Sequence, residues 1–297
     1  MLFDRQKRLL ALLDAHNGEV GLLDFQKLLF LYCQEVEESP YEFVPYKYGG
    51  FSFTSYADKR NLTKQGLLAD EEQTWKLTES GKARAIVAPL TRMKMDQFAT
   101  RHKTLRGNAL VAEAYRRHPY YAIHSEIAEQ ALAGDAAARQ EINKARPIAR
   151  PPGLCTIGYE GRSLEKYLNL LLMNGVTLLC DVRRNPLSRK YGFSKGTLSK
   201  SCAGVRIRYE HLPELGIATE KRRGLDTQAD YDQLFLSYER DTLPNEHEAL
   251  TKIQRWIESG ERVALTCYEN LPEQCHRHCV AEALEQPIGR GWVAQHL

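Results

Sequence analysis

LCTIGYEG (residues 154–161) and TLLCDVR (177–183) stand on either side of SLEKYLNLLLMNGV (163–176). The two outer segments are short apolar runs, one ending in a glycine-bearing loop and the other in charge. The segment between them repeats leucine at helical spacing and closes on Asn174-Gly175, a helix stop. Strand, helix, strand in that order predicts two parallel strands joined by a helical crossover. The pattern returns downstream, where DYDQLFLSYERDT (230–242) and HEALTKIQRWIESG (247–260) read as helices, RVALTCYE (262–269) as a late apolar strand, and the following residues as another helix. The fold class expected for 151–297 is therefore α/β, with a mostly parallel sheet.

In such sheets the functional loops lie beyond the C-terminal ends of the strands. That rule selects Tyr159, Glu160 and Arg162 after the first strand, Asp181, Arg183 and Arg184 at the end of the second, and Cys267 and Glu269 at the end of the late strand. Cys275, His276 and Arg277 open the helix that follows.

A chain of 297 residues exceeds the usual single domain, so two domains are expected. No apolar stretch approaches the roughly 18 residues that span a bilayer, and the N-terminus alternates charged with apolar residues, unlike a secretory leader. Seven cysteines, an odd number scattered along the chain, suit a reducing compartment better than a disulfide framework. A cytoplasmic protein without a membrane partner is the expectation. The net charge of +3 is small but uneven: Arg183 to Arg208 holds eight Lys or Arg and no acid, and Lys221, Arg222 and Arg223 follow. The run predicts a solvated basic face or a polyanion contact that includes Lys195 and Lys200.

Upstream, residues 2–15 and 22–35 carry leucine and aromatic residues at helical spacing. SPYEFVPYKYGGFSFTSY (39–56) is aromatic-rich around a Gly-Gly turn, RNLTKQGLL (60–68) reads as a short helix, and TWKLTESGKAR (74–84) as strand, turn and helix. Helices followed by a short basic helix and a strand-turn wing predict a mainly α winged helix-turn-helix domain over 1–90. Lys59, Arg60 and Lys64 would then face phosphate, with Lys76 on the wing. Residues 91–150 read as a polar helical connector ending in the proline-rich break RPIARPPG (146–153).

KLLFLYCQE (27–35), FVPYKYGGFS (43–52), LTKQGLL (62–68) and WKLTESGKA (75–83) together resemble the Panacea-type domain of some antitoxins and phage-related proteins. That resemblance covers roughly residues 5–85 and implies a nucleic-acid or protein recognition module. TIGYEGRSLEKYLNLL (156–171), CDVRRNPLSRKYGFSKGTLS (180–199), YEHLPELG (209–216) and LTCYENLPEQCHRHCVAEAL (265–284) resemble the "domain of unknown function 488" family over nearly all of 154–284. This second resemblance implies a Rossmann-like fold and no particular chemistry.

Several chemistries fit the strand ends. Cys267, Cys275, Cys279, His276 and His278 lack the paired Cys-x2-Cys knuckles of structural zinc sites, so neither metal nor cofactor is expected. A thiol enzyme would centre on Cys275, its pKa depressed by the helix N-terminus and His276. A packed cysteine with a capping histidine is the plain structural alternative. A nucleotide pocket would place phosphate on Cys275, His276 and Arg277 at the helix start and on Arg183, Arg184 and Arg189. Tyr159, Tyr191 and Phe193 would stack on a base. Asp181, with Glu160 and Glu269 as alternates, would then stabilise a ribosyl cation or activate water; a salt bridge to Arg183 or Arg184 is the structural alternative for Asp181. The leading expectation is a DNA-binding hydrolase cleaving an N-glycosidic bond of a flipped modified base. A non-catalytic nucleic-acid or nucleotide sensor and the Cys275-centred enzyme are the alternatives.

Overall fold

A computed structural model describes residues 1–36, 38–222, 224–285 and 293–297. The chain divides into two compact units, Met1–Arg146 and Pro147–Leu297.

The first unit is mainly helical. It comprises α1 (Asp4–Ala15), β1 (Glu19–Gly21), α2 (Leu22–Glu35), β2 (Val44–Tyr46), β3 (Gly49–Phe51), α3 (Phe53–Lys64), β4 (Thr74–Lys76), α4 (Glu79–Arg84), α5 (Pro89–Arg101), α6 (Gly107–Arg117), α7 (Ala128–Ala131) and α8 (Ala136–Lys144). β1 pairs with β4 and β2 with β3, both antiparallel. The basic helix expected over 60–68 begins earlier: the Ser52 hydroxyl accepts from the Ser55 amide and starts α3 at Phe53, directly after the Gly-Gly turn. The helices of 91–150 do not behave as a connector. Met95, Phe98, Leu110, Val111, Tyr115 and Ile142 are buried in one cluster with Leu9 and Leu13 of α1 and Phe25 and Leu29 of α2. Their apolar faces complete a core that α1 and α2 cannot close alone.

The second unit runs β5 (Gly153–Gly158), α9 (Leu164–Met173), β6 (Leu178–Asp181), α10 (Lys195–Gly204), β7 (Arg208–His211), α11 (Gln228–Asp241), α12 (His247–Glu258), β8 (Arg262–Cys267), α13 (Arg277–Glu285) and β9 (Gln295–His296). The strand order is β7-β6-β8-β5-β9, and every adjacent pair is parallel. Every residue of β5 and β6 is buried, as expected of strands covered on both faces. Ser163 caps α9 by accepting from the Lys166 amide, and Gly175 ends it at φ +67°. α12 buries Ala249, Ile253 and Ile257, a single four-residue stripe. The connection leaving β6 runs outward to β7 on one side, and that leaving β8 runs to β9 on the other. The crevice between the C-terminal ends of β6 and β8 is therefore the switch point of the sheet.

The first unit buries a lysine. Lys27 on α2 is 1% exposed and donates to the Gly50 carbonyl at 3.1 Å. Burial lowers its pKa to about 7. In the unfolded chain the amine regains its ordinary, higher value, so from pH 7 upward the unfolded state binds more protons and stability rises with pH. Denaturant unfolding at pH 7, 8 and 9 should show a gain approaching about 1.4 kcal/mol per pH unit relative to Lys27→Met. Parallel pH dependences in the two proteins would refute the assignment.

Candidate functional site at the sheet switch point

Three chain segments meet at the C-terminal ends of β5, β6 and β8. Asp181, the last residue of β6, is fully buried. Its Oδ1 accepts from Arg183 Nε at 2.8 Å and from the Arg183 amide at 3.1 Å, while Oδ2 accepts from Arg183 Nη2 at 2.5 Å and from the Tyr209 hydroxyl at 2.7 Å. Arg183 Nη1 donates to the Tyr159 hydroxyl and to the Phe193 carbonyl, each at 2.9 Å. Burial works against the Arg183 charge, but the Asp181 carboxylate outweighs it and holds the guanidinium above its ordinary pKa. Burial, together with the Asp181 charge, raises the Tyr209 phenol. Asp181 is thus the structural salt bridge rather than a free carboxylate.

The aromatic rings belong to the same frame. Tyr159 is buried and stacks on Phe193, with centroids 4.3 Å apart and planes 8° from parallel, and the Arg183 guanidinium lies 5.1 Å from the Tyr159 centroid. Two of the three rings expected to hold a base are therefore occupied by each other. Tyr191 is exposed.

Arg277 is 1% exposed and does not reach outward for phosphate. It donates to the carbonyls of Glu269 at 2.5 Å and Asn270 at 2.9 Å and to the Thr156 hydroxyl at 3.3 Å, fixing the loop after β8. That loop presses on β5: a side chain at Gly158 would place its Cβ 1.8 Å from the Glu269 carbonyl oxygen. Glu269 is buried, whereas Glu160 is exposed and accepts from the Asn270 amide at 3.1 Å.

Cys275 and His276 are also buried, together with Cys267. Burial first, and then neighbouring Cys267, push the Cys275 thiol well above its ordinary value, opposite to what a nucleophile needs. Cys267 Sγ donates to Glu269 Oε2 at 3.4 Å and lies 3.8 Å from His276 Nδ1. His276 Nε2 donates to the Val182 carbonyl at 3.1 Å, which ties the β8 side of the crevice to β6.

Arg184, Arg189, Lys195 and Lys200 are exposed. Lys195 Nζ donates to His211 Nδ1 at 3.1 Å, and His211 Nε2 donates to the Arg183 carbonyl at 2.9 Å, so this basic stretch is hung from the buried pair. Arg223 lies outside the described residues.

In the first unit, two of the expected phosphate contacts are committed elsewhere. Lys59 Nζ donates to the Glu71 and Thr74 carbonyls at 3.0 and 2.9 Å, and Lys76 pairs with Glu19 at 3.0 Å and Glu71 at 3.4 Å. Arg60 and Lys64 are exposed. A cavity of about 520 Å³ in this unit is lined by Gln26, Lys27, Tyr46, Tyr48, Phe51 and Tyr56 among others. Sequence reasoning missed it. Its only signal was that the Lys-Leu-Leu helix and the Tyr-Gly-Gly-Phe turn, read there as markers of resemblance, meet through Lys27 and Gly50.

Residues 163–284 match the family model described as Domain of unknown function DUF488. The match spans the crevice residues from Asp181 to Arg277 and begins after β5. No curated protein and no solved structure matches the chain. Among the described residues no helix is long and apolar enough to cross a membrane.

Removing one member of a buried pair leaves the other charged and desolvated, which costs about 3–5 kcal/mol. Asp181→Asn and Arg183→Leu should each lower unfolding stability by that order, and the double variant by clearly less than their sum. Single variants within about 0.5 kcal/mol of the parent would mean the pair contributes nothing to the frame.

Proposed function

We propose that the second unit is a nucleic-acid-binding module whose contact surface is the basic stretch 184–200, acting as a sensor or regulator. The observation that carries this reading is the division of labour among the cations. Arg183 is consumed internally by Asp181, while Arg184, Arg189, Lys195 and Lys200 stay exposed on a run without a single acid. Exposed Arg and Lys on a fixed scaffold neutralise phosphates and release counterions, which gives affinity without sequence readout. Exposed Tyr191 adds a stacking face for an unpaired base.

The same geometry weighs against a carboxylate-driven N-glycosylase. Asp181 has both oxygens committed and Glu269 is buried, which leaves Glu160 as the exposed carboxylate of the three. A thiol reaction at Cys275 is disfavoured by a buried, protonated sulfur.

Fluorescence anisotropy with labelled duplex and single-stranded oligonucleotides across a salt series provides the test. Affinity should fall steeply with salt, and replacing Arg184, Arg189, Lys195 and Lys200 by Gln should flatten the log–log slope by about 0.7–0.9 per lost contact. Equal affinity and slope in the fourfold variant would move the contact elsewhere. Alkali-labile strand breaks that vanish in Glu160→Gln would replace this reading with glycosidic chemistry.

A further inference from the structure

The side chains left over by that reading are Cys267, Cys275, His276 and Glu269, sealed between β8 and α13. We propose that the first three form a binding site for one divalent transition-metal ion of the zinc type, held by two thiolates and the His276 imidazole.

The donor atoms are already gathered. One ligand atom each from Cys267, Cys275 and His276 lie within 4.8 Å of one another, and all three residues are buried. Metal bonds of about 2.0–2.3 Å in tetrahedral geometry put neighbouring donors about 3.5–3.8 Å apart. The observed separation from Cys267 Sγ to His276 Nδ1 is 3.8 Å.

Histidine orientation is a second and independent sign. Nε2 is turned to the Val182 carbonyl, to which it donates, and Nδ1 is the nitrogen that faces Cys267. A backbone carbonyl on the far nitrogen is the outer contact that fixes metal-binding imidazoles.

The thiols complete the argument. The Cys267 and Cys275 sulfurs lie beside each other in a desolvated crevice, a pair of soft donors. On metal binding two S–H bonds are exchanged for two metal–sulfur bonds, and the two protons leave to solvent without any redox change. The Cys267 hydrogen bond to Glu269 is lost in the same step. Two sulfurs and one nitrogen favour zinc over magnesium or calcium. The sequence pattern hid this site because its ligands fall at 267, 275 and 276, with no Cys-x2-Cys pair. The loop between β8 and α13, held by Arg277, brings them together.

The test uses the full chain produced in zinc-supplemented and, separately, cobalt-supplemented medium, so that a buried site is loaded during folding. Elemental analysis should find about one metal per chain, and the cobalt form should show tetrahedral visible bands with thiolate charge-transfer intensity for two sulfurs. Cys275→Ser should lose about half of that intensity, and Cys267→Ser/Cys275→Ser essentially all of it. Should the variants fail to fold, the parent protein decides alone: less than about 0.1 metal per chain from both media, or a cobalt spectrum without thiolate bands, overturns the proposal. Full intensity in a folded Cys267→Ser/Cys275→Ser variant also overturns it, and moves the metal to Glu239, His278 and Cys279, whose ligand atoms also cluster.

Discussion

The bidentate pair between Asp181 and Arg183 is the constraint on which the second unit's functional edge depends. A carboxylate at the end of a fully buried strand is costly to desolvate, and only a planar guanidinium two residues away satisfies both of its oxygens at once. Once Arg183 turns inward, its remaining donors fix Tyr159 and the Phe193 carbonyl. Its own carbonyl then anchors His211, and through it Lys195. The order of the crevice and the outward display of the loop's other cations both follow from that one inward turn.

On the other side of the crevice the chain solves a similar problem with different groups. Arg277 gives its donors to two loop carbonyls and the Thr156 hydroxyl, so the turn between β8 and α13 is held by a buried cation without a matching carboxylate. Gly158 lets this turn sit directly on β5. His276 reaches across to Val182 and closes the gap between the two halves. Asp181, Arg183, Cys275 and His276 are thereby buried at this crevice, with a basic surface outside it and a cluster of sulfur and nitrogen within. In the first unit the same tension between burial and charge recurs at Lys27, whose amine is set against the Gly50 carbonyl at the edge of an aromatic cavity.

Much of the architecture was legible in the sequence. Apolar runs and helical spacing placed α1, α2, α9, β5, β6, β8 and α12, because hydrophobic periodicity is written directly in residue order. The rule that functional loops lie beyond strand ends brought Tyr159, Asp181, Arg183, Cys267, Glu269 and Cys275 into one region. What the sequence misjudged was the state of these groups. Arg277, Tyr159 and Lys76 read from the sequence as outward-facing, whereas the salt bridge of Asp181 with Arg183 is one of the two readings the sequence offers. The partners of those three are the Glu269 carbonyl, Phe193 and Glu19. Helices α5–α8 were read as a connector for a related reason: their apolar faces are thin, and only the core of α1 and α2 gives them a partner.

Residue order alone determined a parallel α/β unit after the proline-rich break, a mainly helical unit before it, and an acid-free basic run between 183 and 208. Tertiary structure alone decided which charges remain available, since that depends on donors and acceptors brought together from distant segments. Asp181 and Tyr209 are 28 residues apart, and His276 and Val182 are 94 apart. Periodicity records which face of an element is apolar, but carries no record of which polar group will meet another once those faces close.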